Sequence, residues 1–419
     1  MNRLTLVAAL VLSLVLVPAL SEATTWDVST FSALRTATMN ANPGDQVVIA
    51  PGQYHVTSPL YCTRAGVTFR GATGNRDDVV LHGNGMNVES GPLEGFWTAN
   101  DGIQLRDLTI RGFYDHGIHV SNNPSGNLAD NVVISNVKIQ NCGERYIKGS
   151  GGGTSNNVLI ENVHFLQNET WLPHTGHDLN YVGGIDAMHT SNWTIRDCRF
   201  EGIMGAAGGA RGAIFLWQGC TNALIERNVI VDCAEGIDLG NGYNPDSIYH
   251  AEDALVRNNF IGWGGGDNRA VQLGFTQNIE FYNNTIYTDA NYNRTVHIYD
   301  SSTVPSSNVV LENNLIRGGI MDTSTGGAIL INNLTGAIPQ ANWFVDPLAS
   351  DLHLTALATG AIDQGLPLAN VPEDYDRQIR PYGLAPDIGA DELIPEPATL
   401  ALLALGGVAL LCRKRGYGA

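Results

Sequence analysis

The sequence has little charge, few cysteines and no long apolar run in its central part. Only 15% of its 419 residues are charged, and acidic residues outnumber basic ones 41 to 23, which gives a net charge of −18. So acidic a chain repels the phosphates of DNA and RNA, which excludes nucleic acid as a partner. The six cysteines contain no CxxC pair and no compact spacing, which excludes a zinc ribbon and a small disulfide framework. We interpret most of them as small core residues.

Apolar runs are found at the two ends, where they indicate targeting signals. Arg3 precedes an apolar run that ends at Leu20, and Ser21-Glu22-Ala23 is a small-x-small site of the type that signal peptidase cuts. Residues 1–23 are therefore predicted to be a signal peptide. A signal peptide implies that the chain is exported.

The other end has three parts in a fixed order. Pro395-Glu396-Pro397 precedes a mostly apolar run, 398–412, and the basic cluster 413–415. The run is short for a membrane span of about 20 residues, and the basic cluster would lie on the cytoplasmic side. Residues 395–419 resemble the PEP-CTERM sorting signal of Gram-negative bacteria. The resemblance implies that an exosortase processes the tail, that the chain contacts the membrane only before this step, and that the mature protein reaches the cell envelope or the outside.

Between these signals, one ten-residue unit recurs seven times. The copies follow one another at spacings of 26, 35, 30, 31, 25 and 30 residues, and a more degenerate copy starts at Gly102. The seven copies start at Asn131, Asn157, Asn192, Asn222, Asp253, Asn278 and Asn308. A period of about 25 to 35 residues predicts a solenoid in which each unit forms one coil.

Within each copy the residue pattern predicts short strands and a tight turn. The first position after the leading residue is apolar, as are the third and the eighth, and alternation of this kind turns those side chains inward. The fifth position is mostly asparagine, which tolerates left-handed backbone and can bond to the next amide along a stack. It is occupied by Asn136, Asn162, Asp197, Arg227, Asn258, Asn283 and Asn313. Short strands with an asparagine turn column indicate a parallel β-helix.

At this point the chain resembles the right-handed parallel β-helix proteins of the pectate-lyase-like superfamily, over residues 25 to about 335. The predicted fold is all-β, a single-stranded right-handed parallel β-helix. We expect an N-terminal cap and first coil at 24–60, the β-helix at 61–335 and a C-terminal cap at 336–394. Residues 29–42 have the apolar spacing of a capping helix, with Ser29 as its N-cap.

A second strand in each coil places a column of outward side chains one rung, about 4.8 Å, apart. Aligning these strands on their inward Ile or Val gives the column His119, Lys148, Asp186, Phe215, Asp238, Gln272 and His297. Five of its seven members can titrate. They are read either as a solvated face with weak ion pairs or as a functional groove.

A long insertion beside this column favours the groove. The connection from Phe165 to Ile185 takes 20 residues, against 7 to 14 in most other coils, and long loops on repeat proteins build binding surfaces. Aromatic rings can stack on the apolar faces of sugars, and paired polar groups can bind sugar hydroxyls. The residues predicted to bind a polysaccharide substrate are His119, Arg145, Trp171, His174, His177, Trp217 and Asp238.

Proton abstraction from a uronate sugar is the chemistry that these residues suggest. A lyase or epimerase needs a base for the proton at carbon 5, and Lys148 can serve if burial lowers its pKa to about 7 or 8. Asp186 alone would raise that pKa. Lys148, Tyr181, Asp186 and His189 resemble the catalytic arrangement of mannuronan epimerases and related alginate-active β-helix enzymes. The resemblance implies proton-transfer and carboxylate-binding roles for these four residues, although His189 lies three positions after the aspartate with no proline between them.

Two other functions remain open. An inverting glycosidase needs carboxylates about 6.5 to 9.5 Å apart, and Asp186 and Asp238, two coils apart, would be separated by about 9.6 Å. A non-catalytic envelope or glycan-binding protein is the other alternative. Calcium is an open possibility, with Glu169 and Asp178 as candidate ligands, and we expect a monomer.

Overall fold

The computed structural model describes residues 23–121, 129–149, 154–242, 244, 248–262, 269–288 and 292–394. Within them the chain forms the predicted right-handed parallel β-helix, with strands paired coil on coil. Most of the predicted signal peptide and the whole predicted sorting signal, 395–419, lie outside the described residues. In the described part no helix is long and apolar enough to cross a membrane.

The repeat pattern accounts for the core. In all seven copies, the side chains at the first, third and eighth positions are at most 5% exposed. The cysteines of the described part behave as predicted, since all are free and buried. They are Cys62, Cys142, Cys198, Cys220 and Cys233.

Two parallel sheets build the coils. The sheet that carries the outward column has ten strands: Leu60–Cys62, Phe96–Thr98, His116–Val120, Arg145–Gly149, Gly183–Met188, Ile214–Trp217, Ile237–Leu239, Val271–Gly274, Val296–Tyr299 and Ile320–Asp322. We call it the site sheet.

The second sheet wraps the other sides of each coil and contains the repeat copies. Its 24 strands are Thr25–Val28, Gln46–Ile49, Gly52–His55, Thr68–Gly71, Val79–His82, Gln104–Arg111, Val133–Gln140, Ser155–Asn156, Leu159–Glu161, His164–Leu166, Thr190–Ser191, Thr194–Arg196, Arg199–Glu201, Cys220–Thr221, Leu224–Glu226, Val229–Val231, Ala251–Glu252, Leu255–Arg257, Phe260–Gly262, Thr276–Tyr282, Thr285–Tyr287, Ser307–Glu312, Leu315–Ile316 and Ile329–Ile331.

The turns follow the asparagine pattern. All seven fifth-position residues have left-handed backbone, with φ between 49° and 56°. The leading residues of the seven copies are left-handed too, with φ between 50° and 58°. Asparagine is favoured at such bends because its short polar side chain bonds locally.

A buried amide ladder lies one position later than the stack that the sequence predicts. Asn228, Asn259, Asn284 and Asn314 each donate Nδ2 to the Oδ1 of the next member, at 3.0, 2.9, 3.2 and 2.8 Å, and Asn333 accepts the last of these bonds. Their amides also bind main-chain groups that the turns leave unpaired, as Asn259 Nδ2 does with the Ile225 carbonyl at 3.0 Å. The fifth-position amides do interact, but at longer distance, for example 3.3 Å between Asn162 and Asn136.

The N-terminal helix covers the first coil. It spans Phe31–Asn40, within the predicted range, and its buried residues include Leu34 and Ala37. Its N-cap is Thr30 rather than Ser29, because the Thr30 side chain accepts the hydrogen bond from the Ala33 amide at 3.1 Å.

The C-terminal segment packs along the side of the β-helix. It contains an antiparallel pair, Phe344–Asp346 with Asp351–Leu354, and two short 3-10 helices, Ala341–Trp343 and Pro347–Ala349. Its apolar residues pack against the outward side chains Phe260, Tyr287 and Leu315. The segment therefore closes a flank rather than lying over the last coil, where the inward-facing Leu330 is 50% exposed.

Replacing one member of the buried ladder tests how much the ladder contributes to stability. We expect Asn259→Ala to lower the free energy of unfolding by about 3 kcal/mol, since it leaves several buried polar groups without partners. The matched control is Asn308→Gly, at the exposed leading position of its repeat copy, where glycine keeps the left-handed turn; its change should stay below about 1 kcal/mol. Urea unfolding measures both, and equal losses would contradict the assignment.

Candidate functional site

The site sheet contains the outward column that the sequence predicts. Pairing joins Lys148 to His119 and to Asp186, and it continues through Phe215 to Asp238. The remaining rungs pair Asp238 with Gln272 and Gln272 with His297. The column is longer than predicted, because Tyr61, Trp97 and Met321 extend it.

A buried carboxylate lies at the centre of the column. Asp186 is 2% exposed. Its Oδ2 contacts Arg145 Nε at 2.6 Å and Lys148 Nζ at 3.0 Å. Its Oδ1 accepts a hydrogen bond from Trp217 Nε1 at 3.0 Å. We call these four residues the Asp186 cluster, and sequence reasoning had named all four.

Burial and charge act in opposite directions on the two titrating groups. Burial alone would raise the pKa of Asp186, but the charges of Lys148 and Arg145 and the hydrogen bonds from Arg145 and Trp217 outweigh it, and the pKa lies well below its usual value. For Lys148, burial lowers the pKa more than Asp186 raises it, and Arg145 lowers it further. Lys148 therefore loses its proton more readily than an exposed lysine, although it is ion-paired.

The inserted loop brings Tyr181 to this cluster. The Tyr181 ring lies over the Arg145 guanidinium, 4.2 Å from its carbon to the ring centroid. His177 stacks on the other side of the ring at 4.0 Å and binds Glu144 at 2.9 Å. Burial raises the pKa of Tyr181, so its hydroxyl stays protonated at neutral pH. Tyr181 thus contacts Arg145, which pairs with Asp186, and Asp186 in turn pairs with Lys148.

Two loop residues predicted to contact substrate have structural positions instead. Trp171 is 1% exposed and donates its indole N–H to the Gly143 carbonyl. His174 is 4% exposed, stacks on Tyr114 at 3.7 Å and bonds to the Met86 carbonyl at 2.9 Å. Side chains so deeply packed anchor the loop and do not offer a surface to a sugar, which corrects the expectation from sequence.

His189 lies outside the cluster. It is exposed, has a φ of 52° and forms the turn after Gly183–Met188. Its main-chain N–H bonds to the Gln218 carbonyl at 3.1 Å. No hydrogen bond or ion pair of the described residues joins its ring to Lys148 or Asp186, so the role that the family resemblance implies for it has no geometric support.

The residues proposed for calcium do not converge. Glu169 accepts a hydrogen bond from Asn141 at 2.8 Å, whereas Asp178 pairs with Arg211 at 2.6 Å. Neither belongs to any group of three metal-ligating side chains in the described residues. Calcium takes six to eight oxygen ligands, so these two positions do not fit a calcium ion.

Aromatic rings extend the outward column toward the N-terminus, and we call the surface along this column the groove. Tyr61 stacks on Trp97 at 4.8 Å, and Trp97 stacks on His119 at 4.1 Å. The sequence alignment missed Tyr61 and Trp97 because their coils lack the repeat motif, although extending the column by two rungs would have found them. Tyr61 is 45% exposed and open to a ligand.

Toward the C-terminus the column enters a cavity of about 240 Å³. Asp238 lies in its wall, hydrogen-bonded to Glu235, and Arg211 and Arg269 border it. Burial raises the pKa of Asp238, and the hydrogen bond and nearby arginines offset this only in part. Glu235 itself pairs with Arg269 at 3.0 Å and accepts from Gln272 at 2.9 Å. Sequence reasoning named Asp238 but missed the other three, since Arg211, Glu235 and Arg269 lie in connections that have no repeat register.

Comparisons with known proteins agree with this architecture. The family model for the right handed beta helix region matches residues 94–248 and 183–347. The PEP-CTERM protein-sorting motif matches residues 393–415, which indicates exosortase-mediated sorting and export to the cell envelope or surface. None of the curated proteins is similar enough to this chain to count as a relative.

Two solved structures illustrate the likeness. An alginate lyase from Paenibacillus sp. str. FPU-7 has 20% identity and a TM-score of 0.50, over 75% of this chain and 99% of that one. Pectate lyase Pel9A has 15% identity and a TM-score of 0.55, over 90% of this chain and 98% of that one. At these identities the likeness shows the fold.

Neutralising the central carboxylate tests the Asp186 cluster. We expect Asp186→Asn to lower the free energy of unfolding by about 3 to 5 kcal/mol, because the Arg145 guanidinium keeps a buried charge without a counter-charge. Asp178→Asn is the control, since its carboxylate is exposed and its pair with Arg211 should contribute less than about 1 kcal/mol. Chemical denaturation gives both values, and a loss for Asp186→Asn no larger than for the control would show that the cluster is not an electrostatic unit.

Proposed function

Because the chain belongs to the right-handed β-helix family, we propose that it is an exported polysaccharide lyase or epimerase of a Gram-negative bacterium, which removes the proton at carbon 5 of a uronate residue. The observation that carries the proposal is Lys148, a lysine whose pKa burial lowers while Asp186 holds its Nζ at 3.0 Å. It lies on the outward face beside the long loop. The alginate and pectate lyases among similar structures support this class of substrate.

Each residue has one part in the reaction. The neutral amine of Lys148 takes the proton from carbon 5. In elimination, the electron pair left behind forms a double bond between carbons 4 and 5 while the bond from carbon 4 to the glycosidic oxygen breaks. Tyr181, protonated because burial raises its pKa, gives its proton to that oxygen. In epimerisation no bond to oxygen breaks, and a proton returns to the other face of carbon 5.

The surrounding charges favour a uronate. Arg145 and Arg211 lie on the Tyr181 ring, at 4.2 and 5.6 Å from its centroid. They stay charged when Lys148 is neutral. Each is paired with a carboxylate at 2.6 Å, Arg145 with the buried Asp186 and Arg211 with the exposed Asp178, so Arg211 is the positive group that a uronate carboxylate can meet. Asp186 is a positioning residue, since its buried oxygens already bind Arg145, Lys148 and Trp217.

The partners of Asp186 weigh against hydrolysis. An inverting glycosidase would use Asp186 to activate water and Asp238 as the acid. The raised pKa of Asp238 suits an acid, but both Asp186 oxygens are engaged and the residue is 2% exposed. A binding protein without turnover is the remaining alternative. An activity assay on uronate polysaccharides separates a lyase or epimerase from a hydrolase and from a binding protein.

We expect the purified protein to release unsaturated uronate products from alginate or pectate, seen as a rise in ultraviolet absorbance. Lys148→Ala and Lys148→Arg should each lower the rate by about 10²-fold to 10⁴-fold, since neither side chain can act as the base at neutral pH. The matched control is Lys138→Ala. Lys138 is also paired with an aspartate, Asp77, at 2.9 Å, but it lies on the other sheet.

Three other outcomes are informative. New reducing ends without the absorbance rise would establish hydrolysis and overturn the proposal. Exchange of the carbon 5 proton in D₂O without cleavage would identify an epimerase. Binding of the polysaccharide with neither reaction would leave a glycan-binding protein and also overturn it.

The pH dependence gives a second test of Lys148. Activity should rise with pH as Lys148 loses its proton. The negative charge of Asp186 favours protonated Lys148, so Asp186→Asn should lower the pKa of Lys148 further and shift the rising limb to lower pH. The measurement is the initial rate against pH for folded protein, checked by circular dichroism at each pH. An unmoved limb would mean that another group controls it.

A further inference from the structure

Three metal-ligating side chains meet at the N-terminal edge of the groove. Glu94 lies just before the strand Phe96–Thr98, and His116 and His119 share the next strand of the site sheet. Glu94 Oε1 is 3.0 Å from His119 Nδ1 and 3.9 Å from His116 Nε2. One ligand atom from each of the three residues lies within 4.8 Å of the others.

Half of the polar atoms in this group lack a partner. Glu94 Oε2, His116 Nδ1 and His119 Nε2 are buried, and none has a hydrogen-bond partner among the described residues. Buried polar atoms in folded proteins are almost always paired. Glu94 Oε1 lies near His119 Nδ1 and His116 Nε2, and each of the three side chains has a second, buried atom without a protein partner, so protein atoms satisfy this group only in part.

We propose that Glu94, His116 and His119 bind a divalent transition-metal ion of the zinc type. Two imidazoles and one carboxylate form a donor set that suits zinc and its neighbours, whereas calcium and magnesium require oxygen ligands. In a tetrahedral zinc site with bonds of about 2.0 to 2.1 Å, neighbouring ligand atoms are about 3.3 Å apart. The observed 3.0 and 3.9 Å bracket this spacing.

Two other groups of this kind are less suited. In the group of His353, Asp376 and Asp391, both ring nitrogens of His353 are engaged, with Asp351 at 2.5 Å and Asp376 at 3.1 Å. In the group of Asp115, Glu144 and His174, Glu144 Oε1 already binds His177 at 2.9 Å. The Glu94 group combines two histidines with three unpartnered atoms, and His119 is held in place by its stack on Trp97 at 4.1 Å.

The position of the site relates it to the groove. His119 pairs in register with Lys148, and His116 pairs with Arg145. A bound ion would therefore lie one rung, about 4.8 Å along the sheet, from the Asp186 cluster. Three protein ligands leave a fourth position for water or for an oxygen of a bound ligand. A divalent charge there would add to the positive charge that an anionic ligand meets.

Direct binding measurements test the proposal without reference to catalysis. The full-length protein, without a polyhistidine tag, is stripped with a chelator and titrated with Zn²⁺ by calorimetry and with Co²⁺ by visible absorbance. We expect one saturable equivalent and the intense bands of a low-coordinate Co²⁺ site. Glu94→Gln and His119→Gln should each weaken Zn²⁺ binding at least about 100-fold.

The matched control is His82→Gln. His82 stacks on His55 at 5.2 Å on the other sheet, and this pair belongs to no group of three metal-ligating side chains in the described part of the chain. Its replacement should leave the Zn²⁺ affinity unchanged, and the melting curves of all metal-free variants show whether they fold. Overturning results are no saturable Zn²⁺ binding by wild type, equal binding by folded Glu94→Gln, or an equal loss in His82→Gln. Because the readout is binding, it stands whether or not the groove proves to be a lyase.

Discussion

Parallel pairing between successive coils determines nearly everything else about this protein. Each residue of a coil lies about 4.8 Å from the residue at the same position in the next coil, so any preference at one position becomes a column along the molecule. Inward columns form the core, and left-handed columns form the turns. On the site sheet the same rule places Lys148 beside Asp186 and Trp97 beside His119. Residues far apart in sequence become neighbours because the coils are equal in register, even though they differ in length.

The same stacking explains how a buried ion pair is tolerated. A carboxylate within the groove wall costs free energy unless charges and hydrogen bonds satisfy both oxygens. Here Arg145 from the neighbouring strand and Trp217 from the next coil supply those partners, together with Lys148. Burial is the larger influence on Lys148 and lowers its pKa, while Asp186 limits the decrease and fixes the position of the amine. One residue thus has a structural role and, in the proposed reaction, a positioning role.

Sequence reasoning placed residues more reliably where the period extends than where it ends. Trp217 and Trp171 show the contrast. Trp217 lies in a strand, so its register with Met188, two residues after Asp186, could be read from the repeat, and its indole does bond to that carboxylate. Trp171 lies in the loop, where no register predicts direction, and it packs on Gly143 instead of facing the groove. The C-terminal segment has no repeat either, and its path along Phe260 and Tyr287 depends on outward apolar residues that a core-facing pattern does not reveal.

The two carboxyl groups of the column show how position along one face gives two aspartates opposite shifts of pKa. Asp186 and Asp238 share the same outward register, two rungs apart. Cations surround Asp186 and hold it ionised, whereas Asp238 is buried beside Glu235 and its pKa is raised. The column therefore places two carboxyl groups with opposite shifts of pKa about 9.6 Å apart on one face.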